Sequence, residues 1–270
     1  MLKIAISGGK GGTGKSTISI LLAKEFLAQN KKVVLVDLDV ECPNDHLLLG
    51  RRLGEIKRKI FQTFPKLNKR KCRKCGICAK VCKNNAIFYI PKKFPVFIEE
   101  FCIGCGACRI VCPFGAIEKK RKTMGKIYFQ KIKKNFWLIS GVAKEGLKET
   151  EPVVKETKEF ALNFAQKIGV DVILFDTAPG LHCNVISALL NVDLVYLVTE
   201  PTPLGLHDLH LVLKLLKKLQ IPCKIIINRS DLGDKTKIEK MAKKFKINIA
   251  KEIPHLEEIL IKYSEGKLLD

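Results

Sequence analysis

Eight consecutive residues early in the sequence have the types and spacing that bind phosphate. They follow the pattern Gly-x-x-x-x-Gly-Lys-Ser, in which glycines let backbone N–H groups turn toward phosphate oxygens. Lys15 supplies a positive charge for the β- and γ-phosphates, and Ser16 offers a hydroxyl ligand to Mg²⁺. A chance match in an ordinary glycine turn is the alternative. The predicted nucleotide-binding residues are Gly9, Lys10, Gly11, Gly12, Thr13, Gly14, Lys15, Ser16 and Thr17.

A second set of residues with ligand chemistry is a run of cysteines. Eight of the eleven cysteines lie between Cys72 and Cys112, and the spacing C-x₂-C-x₂-C-x₃-C occurs twice. This spacing lets a short loop wrap a [4Fe–4S] cluster, with three close cysteines on one cluster and the fourth, at the start of a helix, on the other. The predicted ligands are Cys72, Cys75, Cys78 and Cys112 for the first cluster, and Cys102, Cys105, Cys108 and Cys82 for the second.

A disulfide framework and a zinc site are the alternatives to iron–sulfur ligation by the cysteine run, and both stay open. Disulfides require an oxidising compartment, and zinc sites usually consist of paired C-x₂-C motifs with a longer gap. The duplicated spacing resembles that of bacterial ferredoxins, with one departure. Lys83 replaces the proline expected after Cys82, so we expect an altered local turn there. Outside the run, Cys42, Cys183 and Cys223 are expected to be buried, inert thiols by default.

The elements that position these residues follow from the apolar pattern. Continuous apolar runs predict parallel strands that are covered on both faces, and apolar residues at helical spacing predict helices between them. The predicted strands are Leu2–Ser7, Val33–Val36, Phe136–Gly141, Val172–Phe175, Leu194–Val198 and Lys224–Ile227, and the predicted helices are Thr17–Leu27, Leu206–Leu219 and Thr236–Phe245. Residues 51–70 lose the pattern, which suggests an exit from the core, and residues 120–165 carry it weakly.

This order of elements predicts an α/β fold with a doubly wound, mostly parallel sheet. The cysteine run interrupts the sheet in sequence, so a small α+β domain of ferredoxin type is expected to be inserted in it. We predict a first part of the nucleotide-binding domain at 1–70, the inserted domain at 71–118 and the second part at 119–270.

The run from Lys10 to Thr17 resembles the deviant Walker A motif of the MinD/ParA family of P-loop ATPases, which also includes the nitrogenase iron protein. The resemblance implies that Lys10 is a signature lysine that reaches the partner's nucleotide across a dimer. It makes Lys10, Lys15 and Asp39 the catalytic residues, with Asp39 positioning the attacking water. It also implies that Asp37 supports the Mg²⁺ site, whereas Asn44 matches the family less securely.

Later segments extend the resemblance. Phe175-Asp176-Thr177-Ala178-Pro179-Gly180 is similar to the Walker B and switch II segment, so Asp176 would hold Mg²⁺ and Gly180 would let the loop move. Asn228 lies where the family has its adenine-contacting asparagine, and Glu200 begins a segment that resembles a neighbouring loop. Cys183 is spaced from switch II like a cluster ligand of the nitrogenase iron protein, although a bridging cluster is the minor alternative.

Composition and charge limit the function classes. The chain has 270 residues, 49 Lys+Arg against 27 Asp+Glu and a formal net charge of +22. Such a charge can indicate a nucleic-acid or acidic-membrane partner. Because the basic residues are spread along the chain, we favour a solvated surface and expect neither membrane nor nucleic acid as a partner. The first residues lack the apolar stretch of a secretory leader, so we expect a cytoplasmic protein.

These features together resemble MinD-superfamily ATPases with an inserted ferredoxin domain. The resemblance implies an ATP- and ADP-binding homodimer with Mg²⁺ and two [4Fe–4S] clusters. Slow ATP hydrolysis would close the dimer and gate electron transfer or cluster delivery to an acceptor protein. A MinD/ParA-like spatial regulator with the clusters as a redox sensor is the alternative, and a carrier for cluster assembly is a third hypothesis.

Overall fold

The structure is a computed structural model that describes residues 1–147 and 149–269. In chain order, its strands are β1 (Leu2–Ser7), β2 (Val33–Leu38), β3 (Glu55–Leu67), β4 (Ile87–Phe88), β5 (Val96–Phe97), β6 (Ile117–Lys133), β7 (Phe136–Ala143), β8 (Val172–Thr177), β9 (Leu194–Thr199), β10 (Cys223–Asn228) and β11 (Ile249–Ile253). Its helices are α1 (Lys15–Ala28), α2 (Asp45–Leu48), α3 (Ile77–Lys80), α4 (Ala107–Ile110), α5 (Glu151–Ile168), α6 (Cys183–Leu189), α7 (Pro203–Leu219), α8 (Thr236–Phe245) and α9 (Glu257–Ser264).

One nine-stranded sheet has the order β11-β10-β9-β1-β8-β2-β7-β6-β3. The pairings between β11 and β7 in this order are all parallel, and Ile4 of β1 is in register with Leu174 of β8 and Leu194 of β9. On one side of β1 the strands β9, β10 and β11 follow in chain order, and β8, β2 and β7 lie on its other side. Parallel strands added on both sides of the first strand are the arrangement of a doubly wound sheet. The predicted α/β fold class is therefore confirmed.

The core lies around the strands that the apolar runs predict. All six residues of β2 and of β8 are buried, as expected for central parallel strands covered by helices on both faces. Phe136 of β7 and Phe175 of β8 are fully buried and fill large volumes of this core. The carboxyl ends of β1, β2 and β8 are held side by side by this packing, so the loops that follow them converge.

The chain forms two compact units. The first contains Met1–Arg58, Ile127–Ala143 and the described residues from Thr150 onward, and the second contains Lys59–Lys126 and Lys144–Glu149. The chain enters the second unit within β3 and leaves it within β6. The second unit has an antiparallel pair, β4 with β5, and a small core in which Cys78, Ile87, Cys108 and Ile117 are buried. It includes the segment 71–118 and extends beyond it on both sides.

Two long strands and a long helix lie where the apolar pattern is weak. β3 occupies most of the segment 51–70, and its first five residues are all exposed, so it has no buried face there to mark it. β6 and α5 occupy much of 120–165. Within the described residues, no helix has both the length and the apolar character that a bilayer crossing requires.

Candidate functional site

The glycine-rich loop joins β1 to α1, and its backbone geometry depends on Gly14. This residue has φ 88°, in the left-handed region, and it begins α1, with Ile18 N donating to its carbonyl at 2.9 Å. A Cβ at Gly14 would lie 2.4 Å from Nδ2 of Asn228. The same amide donates to the Thr13 carbonyl at 2.9 Å, so Asn228 of β10 fixes the loop.

The two predicted lysines of the loop have different surroundings. Lys15 is buried, its Nζ donates to the Lys10 carbonyl at 3.0 Å, and burial lowers its pKa although Asp176 and Asp39 oppose that effect. Lys10 is half-buried, and its Nζ lies 3.8 Å from Oε2 of the buried Glu200. Lys15 therefore lines the cavity beside the loop, whereas Lys10 pairs with an acid on another loop.

Glu200 has a role that sequence analysis did not predict. Its carboxylate accepts from Arg229 as well as pairing with Lys10, and Arg229 Nη1 also donates to the Gly12 carbonyl at 3.4 Å. Glu200 lies just before α7, whose first turn is capped by the Thr202 hydroxyl accepting from Gly205 N. Such a pairing arises from the approach of separate loops, and no spacing in the sequence signals it.

The predicted magnesium ligands meet at the ends of α1, β2 and β8. Ser16 Oγ donates to Asp176 Oδ2 at 2.5 Å, and Ser19 Oγ donates to Asp176 Oδ1 at 3.0 Å. Asp37 accepts from the backbone N–H groups of Asp39 and Asp45, each at 3.1 Å. Ser19, one turn along α1 from Ser16, is a further contact that sequence analysis did not include.

A third buried acid joins this group. Ligand oxygens of Asp37, Asp45 and Asp176 lie within 4.8 Å of one another, and all three side chains are buried. Two like charges at that distance repel by about 3 kcal/mol at an effective dielectric constant of 20. Burial, followed by the neighbouring Asp176, raises the pKa of both Asp37 and Asp45 well above the usual range. Hard oxygen ligands that need a counter-charge fit Mg²⁺.

The pH dependence of stability follows from Asp176. Burial raises its pKa from 3.8 to about 6, against the hydrogen bonds from Ser16 and Ser19. The folded state therefore binds this proton more tightly than the unfolded chain does. We expect the contribution of Asp176 to the free energy of unfolding of metal-free protein to decrease as the pH rises from 3.8 to about 6.

Unfolding in EDTA, followed by the fluorescence of Trp137 in the first unit, measures this contribution. The quantity to plot is the difference in stability between the wild type and Asp176→Asn, because carboxyl groups that do not interact with Asp176 cancel in it. Asp37 and Asp45 do interact with Asp176, so the difference reports on the three acids together. A difference that is constant or increases with pH across that window would contradict the assignment.

A cavity of about 260 Å³ lies beside the loop. The predicted nucleotide-binding residues that line it are Gly11, Gly12, Gly14, Lys15, Ser16, Thr17 and Asn228. Asp39 and Asn44 line it as well. Asp39 is half-buried, and burial raises the pKa of its carboxyl group. Gly9, Lys10 and Thr13 line a different, smaller cavity next to α7. The remaining lining of the larger cavity was not predicted and is mostly apolar; it includes Ile253, Pro254, His255, Leu256, Ile259, Leu260 and Tyr263.

The eight clustered cysteines line two further cavities, both in the second unit. The sets are the crossed sets of the sequence analysis, with the last cysteine of each motif beside the first three of the other. One cavity is lined by Cys72, Cys75, Cys78 and Cys112, and the other, of about 270 Å³, by Cys82, Cys102, Cys105 and Cys108. All eleven cysteines, which lie in the described part of the chain, are free thiols. The donor sets fit two iron–sulfur clusters.

The repeated sequence has a repeated structure. Gly76 and Gly106 precede α3 and α4 with φ 76° and 75°, where a side chain would be strained. Backbone N–H groups of Ala86 and Ala116 donate to the sulfurs of Cys82 and Cys112 at 3.3 and 3.4 Å. Hydrogen bonds to sulfur are one way in which a protein tunes a cluster's potential.

Two expectations about the cysteine run are wrong, namely the altered turn at Lys83 and the position of the fourth cysteine at the start of a helix. The turn at Lys83 is unaltered, because Asn85 N donates to the Cys82 carbonyl at 3.1 Å just as Gly115 N donates to that of Cys112 at 3.2 Å. Cys82 and Cys112 follow short helices and do not begin them.

The default of buried thiols also fails for two of the three remaining cysteines. Cys42 and Cys183 are exposed, the latter as the first residue of α6, because both lie in or next to surface loops. Cys223 is partly buried, and burial raises its pKa to about 11. A cluster-ligand role for Cys183 stays the minor alternative.

Nearly the whole chain is similar to known proteins. The profile of a family described as the CobQ/CobB/MinD/ParA nucleotide binding domain matches residues 4–269. An uncharacterized protein of Methanocaldococcus jannaschii is 39% identical over 267 residues, which cover 99% of this chain and 91% of that protein. An iron-sulfur cluster carrier protein of Rickettsia bellii is 24% identical over 259 residues, covering 95% of this chain and 62% of that protein.

Solved structures show the same fold. The cell division ATPase MinD of Pyrococcus furiosus superimposes with a TM-score of 0.57 at 21% identity, covering 99% of this chain and 89% of that one. The septum site-determining protein MinD of Pyrococcus horikoshii, complexed with Mg-ADP, gives a TM-score of 0.55 at 22% identity, covering 98% and 86%.

Proposed function

Because the chain belongs to the CobQ/CobB/MinD/ParA nucleotide-binding domain family, we propose that it is a Mg²⁺-dependent ATPase carrying two [4Fe–4S] clusters. Nucleotide-driven closure of a homodimer gates electron transfer or cluster delivery to a partner protein. One observation carries the proposal: a phosphate loop facing buried carboxylates occurs in the same chain as two four-cysteine sets, each lining its own cavity.

The nucleotide half of the proposal uses groups that already converge. The backbone of the glycine loop binds the phosphates, and Lys15 neutralises charge on them. Ser16, Asp37 and Asp176 hold Mg²⁺, which shields phosphate charge when bound. Asp39, half-buried at the cavity, orients the attacking water, and Asn228 contacts the base while it braces Thr13.

The cluster half of the proposal rests on the donors of both cysteine-lined cavities and on the size of one of them, since the cavity lined by Cys72, Cys75, Cys78 and Cys112 has a volume of only about 20 Å³. Four sulfurs around a single zinc ion would lie about 3.8 Å apart, since Zn–S bonds are about 2.3 Å long. A cavity of about 270 Å³ among Cys82, Cys102, Cys105 and Cys108 suits a larger group. When bound, two [4Fe–4S] clusters supply one-electron chemistry.

Protein purified without air should be brown and contain acid-labile sulfide, and it should hydrolyse ATP slowly in the presence of Mg²⁺. Colourless protein without sulfide would refute the iron–sulfur half, and absence of ATP binding would refute the other half. A gating function also requires that the rate at which the reduced protein passes electrons to an added ferredoxin differs between ATP and ADP.

Cluster delivery is the second candidate, favoured by the iron-sulfur cluster carrier protein among the relatives. Labelled iron in the protein would then move to an apo-ferredoxin under anaerobic conditions. Comparing that transfer with reduction of the holo-ferredoxin under the same conditions separates a carrier from an electron donor.

Lys10 tests the dimer mechanism. We expect Lys10→Ala to bind ATP normally and to hydrolyse it at least about a hundredfold more slowly, since a cation supplied to the transferred phosphoryl group contributes about 10³–10⁵ in related enzymes. The half-exposed Lys10 pairs with Glu200 outside the larger cavity, so its removal leaves the lining of that cavity intact. Initial rates and binding of a fluorescent ATP analogue measure the two effects.

Glu200→Gln is the matched control for Lys10→Ala. It weakens the same ion pair, and that of Glu200 with Arg229, but keeps the lysine, so hydrolysis should persist if the lysine itself acts on the phosphoryl group. Equal loss in both variants would show that the ion pair serves only to shape the loop.

A further inference from the structure

Asp45 is a buried acid that the proposed ATPase chemistry does not use. Its side chain is 0% exposed, and within residues 1–147 and 149–269 no backbone N–H, hydroxyl or cationic group donates to either of its carboxylate oxygens. Its hydrogen-bonding neighbour is another acid, the carboxyl group of Asp176. By contrast, each oxygen of Asp37 and of Asp176 accepts one hydrogen bond. A buried carboxylate with no donor partner is costly, so a native site that retains one is expected to fill it with a ligand.

Asp45 lies in a group of three buried acids whose spacing could hold an ion. One oxygen each from Asp37, Asp45 and Asp176 lies within 4.8 Å of the other two. In an octahedral Mg²⁺ site with bonds of about 2.0–2.1 Å, ligand oxygens are about 3 Å apart when adjacent and about 4.2 Å apart when opposite. The three carboxylates are thus near enough to share one ion once their oxygens move closer together.

Neighbouring charges do not neutralise Asp45. The groups with the strongest electrostatic effect on it are the acids Asp176, Asp37 and Asp39. The ammonium of Lys15 interacts with Asp176 and Asp39, and it donates to the Lys10 carbonyl. A small divalent cation would satisfy the oxygens of Asp45 and relieve the repulsion among the three acids at once.

We propose that Asp37, Asp45 and Asp176 hold one hard divalent cation, Mg²⁺ or Mn²⁺, in the nucleotide-free protein, with Asp45 as the anchoring ligand. This inference rests on the proposed function, because it concerns the metal site of the same ATPase. Asp45 makes the site independent of nucleotide, so the cation precedes ATP and does not have to arrive bound to it. ATP then enters a site where the counter-charge for its phosphates is already in place.

Equilibrium dialysis of the cluster-loaded, nucleotide-free protein against Mn²⁺ tests the proposal, because loaded clusters occupy the eight clustered cysteines and keep them from binding the added metal. We expect one Mn²⁺ per chain, displaced by excess Mg²⁺. Asp45→Asn should weaken this binding by at least about 10–100-fold, the loss usual for groups that only support the ligands of a metal site. The matched control is Glu265→Gln, an exposed acid of the same unit, which should bind like the wild type.

A second variant separates ligation from folding. Asp45→Leu removes the buried charge, so in EDTA it should unfold at the same or a higher temperature than the wild type. The wild type should gain thermal stability from Mg²⁺ without nucleotide, and Asp45→Leu should not. A variant that still gains stability from Mg²⁺ as the wild type does would overturn the role of Asp45.

The outcomes also distinguish this inference from the proposed function. Wild-type protein that hydrolyses Mg-ATP but binds no Mn²⁺ without nucleotide would overturn the inference and leave the ATPase intact. Wild-type protein that neither binds nor hydrolyses Mg-ATP would overturn the proposed function itself. Unchanged Mn²⁺ affinity in Asp45→Asn would show that Asp37 and Asp176 suffice, which overturns the anchoring role of Asp45.

Discussion

Lys15→Ala is expected to reduce ATP hydrolysis to below about one per cent of the wild-type rate, since loss of one preorganised charge-stabilising group costs about 10²–10³ in rate. Iron content and the visible spectrum of the clusters should stay unchanged. Lys15 is buried, and the charged groups that act on it are the acids Asp176 and Asp39, so its removal takes a positive charge from between the glycine loop and the ends of β2 and β8. Its whole environment belongs to the first unit.

The measurement is a phosphate-release assay alongside iron and sulfide determination on the same anaerobic preparation. Lys31→Ala removes an exposed lysine just after α1 and serves as the control for loss of a positive charge. Parallel loss of hydrolysis and iron in Lys15→Ala would show that the two units do not fold independently. Full hydrolysis in the variant would remove the phosphate loop from the mechanism.

Cys112→Ala is expected to lower the iron content from about eight to about four atoms per chain, because each [4Fe–4S] cluster depends on four thiolates. The crossed sets also predict which of the two clusters each cysteine variant loses. Cys112 lines a cavity with Cys72, Cys75 and Cys78, so Cys112→Ala and Cys75→Ala should retain the same cluster. Basal ATP hydrolysis should remain.

Redox titration of the retained cluster distinguishes the crossed arrangement from a sequential one. In the crossed arrangement, Cys112→Ala matches Cys75→Ala in midpoint potential, and Cys82→Ala matches Cys105→Ala. If each cluster used four consecutive cysteines instead, Cys112→Ala would match Cys105→Ala. Cys42→Ala, at an exposed thiol outside the run, should keep both clusters.

Sequence patterns predicted the parts of the fold in which local chemistry and burial agree. The strands beside the phosphate loop are continuous apolar runs, and β8 extends the predicted Val172–Phe175 by only two residues. Helix α8 has the predicted bounds, Thr236–Phe245, because its apolar positions recur at helical spacing on an otherwise charged segment. The two cysteine sets were also predicted from spacing, because the short gaps within each motif keep its first three cysteines close together in space.

Where burial and local pattern disagree, prediction was poor. The start of β3 is an exposed, charged strand, so its sequence has neither an apolar run nor alternation. In α5, small residues such as Ala161 and Ala165 form part of the buried stripe, which weakens the hydrophobic signal although the helix is long. Charged edge strands and small-residue stripes are stabilised by their neighbours in space, which a single sequence does not display.

The site residues that sequence analysis missed share the same cause. Asp45 begins the four-residue α2, where an acid resembles an ordinary helix-start residue. Its proximity to Asp37 and Asp176 depends on strand order, because β8 lies directly beside β2. Glu200 likewise meets Lys10 only because β9 lies beside β1.

The position of β8 between β1 and β2 also determines when this protein can be assembled during synthesis. A nascent chain that ends before Val172 has no strand to join β1 to β2, so both present unpaired backbone N–H and C=O groups at open edges. The second unit, whose last residue is Glu149, has by then been fully translated. On the ribosome, the cysteine-bearing unit is thus the first of the two that has its complete sequence available to fold.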